Sequence, residues 1–126
     1  MSDGLNQKTV TGMVQDSDGI LWVATFGGLN RFDGRTFESF TTRQGLRQNI
    51  IQALMVDRNN RLWAGDAEGG LTVIEDGAVT RSYAPAQGSK GLVRDMATVG
   101  NTLYITMQPG GLRRLSLGEP ARRAAS

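Results

Sequence analysis

The chain has 126 residues, of which 39% are hydrophobic and 21% charged, and it contains neither Cys nor His. This composition excludes a disulfide framework, a Ser-His-Asp triad, a Cys-His pair and the usual zinc sites. The net charge of +2 comes from the C-terminal end, where Arg113, Arg114, Arg122 and Arg123 outnumber Glu119. We interpret this basic end as solubilising, with residues 118–126 as a tail. We therefore expect no nucleic-acid partner, and the sequence offers no membrane span.

Residues 3–43 are predicted to form four short strands. Runs rich in apolar and β-branched residues are bounded by turn residues, a pattern typical of strands. The predicted strands cover residues 9–15, 20–25, 28–32 and 36–40. A turn at residues 16–19 joins the first two, and Gly19 can take the positive φ that a tight hairpin needs. Four short antiparallel strands in about forty residues are typical of one blade of a β-propeller.

The same unit recurs over residues 44–86 and again over residues 87–117. Trp22, Trp63 and Tyr104 follow one another at intervals of 41 residues, and a Leu precedes each of them. In the third copy, residues 118–123 contain Pro120 and no apolar alternation, so we predict no fourth strand there. The sequence therefore predicts an all-β fold of about three four-stranded antiparallel blades, the last incomplete, with eleven strands in total.

Three blades do not close a propeller ring, since rings typically have four or more. A wedge of three would expose the outer faces of its terminal blades, which are surfaces for a partner. We therefore expect other propeller blades as partners, either from the rest of a longer parent chain or from further copies in a homo-oligomer.

No catalytic residue, metal site or cofactor is predicted. Asp16, Asp57, Asp33 and Asp76 recur in register at turns, which favours a structural role over carboxylate catalysis. Asp16 and Asp18 resemble the start of a calcium loop, but the twelfth position, where an EF-hand has Glu, holds a Gly. The recurrent aromatic residues are interpreted as packing between blades, with a ligand-stacking ladder as the alternative.

A ligand site, where one exists, is predicted on one rim of the propeller. Connections in an up-and-down blade alternate between two faces, so the loop before the first strand and the loop between strands two and three share a face. These loops differ between copies while the strands repeat, which is typical of binding loops and also of ordinary loop drift. The predicted binding residues are Phe26, Arg47, Gln48, Asn49, Asp66, Glu68, Met107 and Gln108, with Asn6 and Gln7 on the same face.

Three segments carry a resemblance to a known family. They read DSDGILWVAT from Asp16, GGLNRFDG from Gly27 and GLRQNI from Gly45. They resemble the two-component regulator propeller repeat, and the resemblance extends over residues 3–116. It implies a non-enzymatic sensor segment of a bacterial two-component-type signalling protein, located in the periplasm and binding an unknown small ligand or protein. The alternative is a structural or protein-interaction propeller completed by homo-oligomerisation, without a small-molecule site.

Overall fold

The strands occur in the predicted order and close to the predicted positions. The computed structural model describes residues 9–85 and 90–117, and these form eleven strands and one 3₁₀ helix, η1. The strands are β1 Val10–Gln15, β2 Leu21–Thr25, β3 Gly28–Phe32, β4 Phe37–Phe40, β5 Ile51–Val56, β6 Leu62–Asp66, β7 Leu71–Glu75, β8 Ala78–Tyr83, β9 Leu92–Val99, β10 Thr102–Gln108 and β11 Gly111–Ser116. Helix η1, Thr42–Gln44, was not predicted.

The strands form three antiparallel up-and-down sheets, which confirms the predicted propeller blades. Strands β1 to β4 form blade 1, β5 to β8 form blade 2, and β9 to β11 form blade 3. Within the described residues blade 3 has three strands, and the segment predicted to lack a fourth strand lies outside them. Arg113 and Arg114, counted with the basic end of the sequence, lie within β11. Arg122 and Arg123 lie outside the described residues.

The blades pack face to face and bury a separate hydrophobic core at each of the two junctions. The core between blades 1 and 2 is formed by Trp22, Ala24, Leu29, Phe40, Leu46, Ile51, Leu62, Ala64 and Ile74. The core between blades 2 and 3 is formed by Ala53, Trp63, Leu71, Val73, Val93, Met96, Leu103, Ile105 and Met107. The two tryptophans therefore pack between blades, as predicted. Tyr104 belongs to neither core and is half-buried.

The first strand of each blade lies innermost, where β5 contacts both β1 and β9. Thr11 Oγ1 donates a hydrogen bond of 2.6 Å to the carbonyl oxygen of Ile51, which joins β1 directly to β5. The described part of the chain has no helix that is long and apolar enough to span a bilayer.

Helix η1 lies in the connection between blades 1 and 2 and is closed by a capping box. The Oγ1 of Thr41 accepts from the backbone N–H of Arg43 at 3.1 Å, and the Oε1 of Gln44 accepts from the N–H of Thr41 at 2.8 Å. Gly45 ends the helix with φ 108°, a conformation that glycine adopts without a steric penalty. This short turn delivers Leu46 into the first core.

Candidate functional site

An aspartate and a tryptophan fix the first hairpin turn of blades 1 and 2. In blade 1, Oδ1 of Asp16 accepts from the backbone N–H groups of Asp18 and Ile20 at 2.9 and 3.0 Å. Its Oδ2 accepts from the indole Nε1–H of Trp22 at 3.0 Å. One carboxylate therefore closes the turn and satisfies the indole donor of a buried ring, which confirms the predicted structural role of Asp16.

Asp57 repeats this arrangement in blade 2 and adds an ion pair. Its Oδ1 accepts from the N–H groups of Asn59 and Arg61, and its Oδ2 accepts from Trp63 Nε1 at 2.9 Å. The Nε of Arg61 donates to the same Oδ2 at 2.8 Å. Burial of Asp57 raises its pKa, but the hydrogen bonds from Trp63 and Arg61 and the charge of Arg61 outweigh burial, so the pKa lies below its ordinary value. The recurrence of Asp six residues before Trp is the sequence signal for this pairing.

Asp33 is the acceptor in the turn between β3 and β4. Its Oδ1 accepts from the N–H groups of Arg35 and Thr36 at 2.9 and 3.0 Å. These two backbone hydrogen bonds lower the pKa of Asp33. Asp76 lies in a two-residue turn between Glu75 and Ala78 with φ 52°, in the left-handed region that Asp tolerates. Both residues therefore serve the turns in which they lie.

The predicted rim brings three of its charged residues together in blade 2. Arg47 lies in the loop that leads to β5, and Asp66 and Glu68 lie where β6 connects to β7. The Nε of Arg47 is 3.3 Å from Oδ2 of Asp66, and its Nη2 is 3.4 Å from Oε1 of Glu68. These two loops therefore lie side by side, as up-and-down connectivity predicted.

Asp66 is engaged by its own loop on both carboxylate oxygens. Its Oδ1 accepts from the N–H groups of Glu68 and Gly70, each at 2.9 Å, while Oδ2 accepts from Arg47. The residue is 1% exposed. A Cβ at Gly70 would lie 2.1 Å from Nε of Arg47, so this glycine is required for the guanidinium to lie against the backbone. In this structure Asp66 and Arg47 hold the rim in shape.

The other predicted rim residues differ in how far they face solvent. Phe26 is 42% exposed and Gln108 is also exposed. The side chain of Gln48 accepts from the N–H of Ile50 in its own loop, and the side chain of Asn49 accepts from the N–H of Thr42 in helix η1. Met107 is 9% exposed and lies in the second core. Their assignment to ligand binding stays a prediction, and Asn6 and Gln7 lie outside the described residues.

A recess lies on the inner side of the three-blade wedge. A groove of about 550 Å³ runs across β1, β5 and β9. It is lined by Thr11, Gly12, Met13, Gln52, Ala53, Leu54, Leu92, Val93, Arg94 and Asp95. We call it the axial groove. This groove was not predicted from the sequence, because it is formed by strands rather than loops. Within residues 9–85 and 90–117, no three Asp or Glu side chains come close enough to hold a metal ion.

The Asp–Trp hairpins of blades 1 and 2 lie in segments that match a known protein family. A family model described as the two component regulator propeller matches residues 4–27 and 45–68. The resemblance predicted from the sequence is therefore confirmed over these two segments. Each match ends two residues after the second strand of a blade. It therefore contains the turn aspartate and the tryptophan that donates to it, which we call the Asp–Trp unit. The repeat pattern of this family therefore has a physical basis here, since the turn aspartate is the acceptor for the indole donor.

A histidine kinase shares part of the sequence of this chain. Histidine kinase P4 of Formosa agariphila is 53% identical over 38 residues, which are 30% of this chain. The matched segment is 3% of that kinase. The propeller chain therefore spans a small part of the curated relative that it matches.

Two solved structures with a similar fold are extracellular domains of two-component systems. The extracellular domain of the hybrid two-component system BT4673 from B. thetaiotaomicron superposes with a TM-score of 0.76 at 19% identity, over 91% of this chain and 16% of that one. The extracellular domain of BT3049 from the same organism gives a TM-score of 0.74 at 18% identity, over 98% of this chain and 18% of that one. At these identities the likeness shows the propeller fold.

Proposed function

We propose that this two-component regulator propeller is a sensor segment that binds a ligand or partner and passes the signal to an output domain elsewhere in its signalling protein. The observation that carries the proposal is the pair of Asp–Trp hairpins that match the family model in blades 1 and 2. The partial match to a histidine kinase supports the signalling role. Neighbours described as extracellular domains support an extracytoplasmic, periplasmic location.

The segment is proposed to be non-enzymatic. The chain has neither Cys nor His. Asp16 and Asp57 each engage both carboxylate oxygens in the first hairpin turn, and Asp66 does so in the rim loop. Carboxylates used in this way are not free to act as an acid or a base in catalysis.

A thermal-shift screen of a small-molecule library against the purified chain tests the sensor proposal. A ligand that binds the folded state at a hundred times its Kd stabilises it by about 2.7 kcal/mol, which raises Tm by several degrees. We expect at least one chemically related group of compounds to produce such a shift. A library that leaves Tm unchanged throughout would count against small-molecule sensing.

Phe26→Ala probes the predicted rim with the same assay. Phe26 is an exposed aromatic side chain in the loop between β2 and β3, so its truncation leaves both cores intact. Loss of the ligand shift with unchanged unliganded Tm would assign binding to the rim. An unchanged ligand shift would remove Phe26 from the predicted site.

The second candidate function is a structural propeller completed by further copies of the chain. Leu112 is 62% exposed, whereas Leu29 and Leu71 at the same position of the repeat are buried between blades. A further blade packed on blade 3 would bury Leu112 in the same way, which favours this alternative. Light scattering separates the candidates, because this alternative requires a concentration-dependent mass of two or three chains. A monomer that remains folded across the concentration series would exclude ring completion by identical copies.

A further inference from the structure

The innermost strand of each of the three blades contains a β-bulge. Each is bulged by one residue near its start: the pairing skips Thr11 in β1, Gln52 in β5 and Arg94 in β9. Bulges re-aim side chains and occur next to binding and active sites more often than elsewhere in sheets. All three skipped residues are polar, although most of their neighbours in these strands are apolar.

The three bulged residues line the same cavity, the axial groove. Side by side in successive blades, they present a hydroxyl, a carboxamide and a guanidinium. Leu54, Leu92 and Val93 form apolar parts of the lining. A recess with apolar walls and a few convergent polar groups is the usual composition of a small-molecule site. The volume of about 550 Å³ is sufficient for a monosaccharide or an amino acid.

The polar groups of the groove differ in how they are engaged. Thr11 Oγ1 donates to the Ile51 carbonyl oxygen and is committed to holding β1 against β5. The side chains of Gln52 and Arg94 make no hydrogen bond or ion pair within residues 9–85 and 90–117. Asp95 uses Oδ1 to accept from the N–H of Met96 at 2.9 Å. Among the described residues, the axial groove therefore presents an unpaired guanidinium, an unpaired carboxamide and a carboxylate with one oxygen uncommitted.

We propose that the axial groove binds a small molecule that carries a carboxylate together with a hydroxyl or ammonium group. The guanidinium of Arg94 and the carboxamide N–H of Gln52 donate to the carboxylate, and Asp95 accepts from the hydroxyl or ammonium group. A guanidinium matches a carboxylate through two parallel hydrogen bonds, which fixes orientation as well as charge. This inference deepens the proposed function, on which it rests, by naming the site and the chemical class of the ligand.

Isothermal titration of the whole chain with two matched pairs of probes tests the ligand class. Glucuronate is compared with glucose, and alanine with alaninamide, so that each pair differs in its carboxylate. We expect at least one acid to bind in the millimolar range or tighter, with its uncharged analogue at least about tenfold weaker. The pair that responds tells whether the carboxylate comes from a sugar acid or an amino acid. Equal behaviour within both pairs, or no binding of either acid, overturns the proposal.

Two variants then locate the site. Arg94→Gln removes the guanidinium, and Gly12→Leu inserts a side chain into the axial groove where a Cβ would meet no atom within 4 Å. We expect each to weaken binding of the acid by about tenfold or more. Arg58→Gln is the matched control, because Arg58 is also exposed and unpaired among the described residues but lies in the turn between β5 and β6.

The outcomes separate the axial site from the sensor proposal. Binding that is lost in both groove variants and kept in Arg58→Gln supports the axial site, with thermal unfolding of each variant showing that the fold is intact. Binding that survives Arg94→Gln and Gly12→Leu overturns the axial site and leaves ligand sensing standing. If Arg94→Gln, Gly12→Leu and the control Arg58→Gln all weaken binding equally, the effect comes from a general change in charge or stability. That result also overturns the axial site.

Discussion

Blades 2 and 3 carry the same first hairpin at the same position of the repeat but close it differently. In blade 2 five residues, 57–61, separate the last pair of β5 and β6, and Asp57 closes the turn beneath Trp63. In blade 3 only Gly100 and Asn101 separate Val99 from Thr102, with φ 61° at Gly100. The shorter turn lengthens the strands to eight and seven residues, compared with six and five in blade 2.

This difference shows that the turn aspartate and the tryptophan form one structural unit. Thr98 stands where the repeat has Asp16 and Asp57, and in blade 3 it pairs with Leu103 inside the sheet. Tyr104 stands at the Trp position, faces away from both cores and is half-buried. A buried indole needs an acceptor for its N–H, so loss of the carboxylate and loss of the tryptophan accompany each other. The following variants test how far the two blades differ.

Leu71→Ala in blade 2 is expected to have the largest effect. Leu71 is completely buried against blade 3, whereas Leu112, its counterpart in blade 3, is 62% exposed. Truncation of a buried leucine costs about 2–5 kcal/mol in free energy of unfolding, because it removes apolar contact and leaves a cavity. Leu112→Ala is expected to change that free energy by less than about 0.5 kcal/mol. Urea unfolding of both variants measures the difference, and equal losses would mean that the outer face of blade 3 is covered.

Asp57→Ala is expected to cost about 3 kcal/mol in free energy of unfolding. The substitution leaves the indole N–H of Trp63 buried without an acceptor and removes the partner of Arg61. Asp16→Ala removes the same turn bonds without an arginine partner, so we expect about half that loss. Chemical denaturation, with Trp fluorescence as the signal, ranks the two. A smaller loss for Asp57 than for Asp16 would contradict the role given to the ion pair.

Gly65→Ala tests how closely blade 3 packs on blade 2. A Cβ at Gly65 would lie 2.4 Å from Cγ1 of Val93, which is buried in the second core. Overpacking of this kind costs about 1–3 kcal/mol. Gly12→Ala, on the innermost strand of blade 1, meets no atom within 4 Å and should be close to neutral. Thermal unfolding of Gly65→Ala and Gly12→Ala measures the difference in stability. If Gly65→Ala is also neutral, blades 2 and 3 pack loosely at this junction.

The repeat made most of the fold predictable. The 41-residue spacing of Trp22 and Trp63 gave the blades, and the predicted strands of blade 1 differ from the observed ones by at most one residue at either end. Up-and-down connectivity also predicted that the rim loops share one face of the propeller. Helix η1 did not follow, because its capping box depends on two side chains that also suit an ordinary loop.

The contacts within the candidate sites were not predictable from the pattern. Asp66, the last residue of β6, differs between copies, and this variation predicted ligand binding. The variation did not predict that Gly70 and Arg47 hold its carboxylate, and the assignment to ligand binding stays a prediction. Loop variation alone does not distinguish a residue that shapes a rim from one that contacts a ligand. The bulges at Gln52 and Arg94 depend on how strand pairing is interrupted, and this is determined by packing between blades rather than by local sequence.

The pH dependence of stability is expected to show the smallest effect. Hydrogen bonds from Trp63 and Arg61 hold the pKa of Asp57 below its ordinary value in the folded chain, despite the opposing effect of burial. The unfolded chain therefore takes up the proton first, at a pH of about 4. The stabilising contribution of Asp57 is fully present above that pH and is lost as the pH falls through the lower folded-state pKa.

Asp57→Asn isolates this contribution, since it keeps the size of the side chain and removes its titration. We expect the free energy of unfolding of the unmodified chain to fall more steeply between about pH 5 and pH 2 than that of the variant. Asp33→Asn gives the comparison at an exposed turn, where backbone hydrogen bonds lower the pKa without burial. Because solvent screens the exposed carboxylate, its substitution should change the slope less than Asp57→Asn does. If Asp57→Asn leaves the slope of unfolding free energy against pH unchanged, the charge of the carboxylate under Trp63 makes no net contribution to folding. The Asp–Trp unit would then be a hydrogen bond that asparagine can replace.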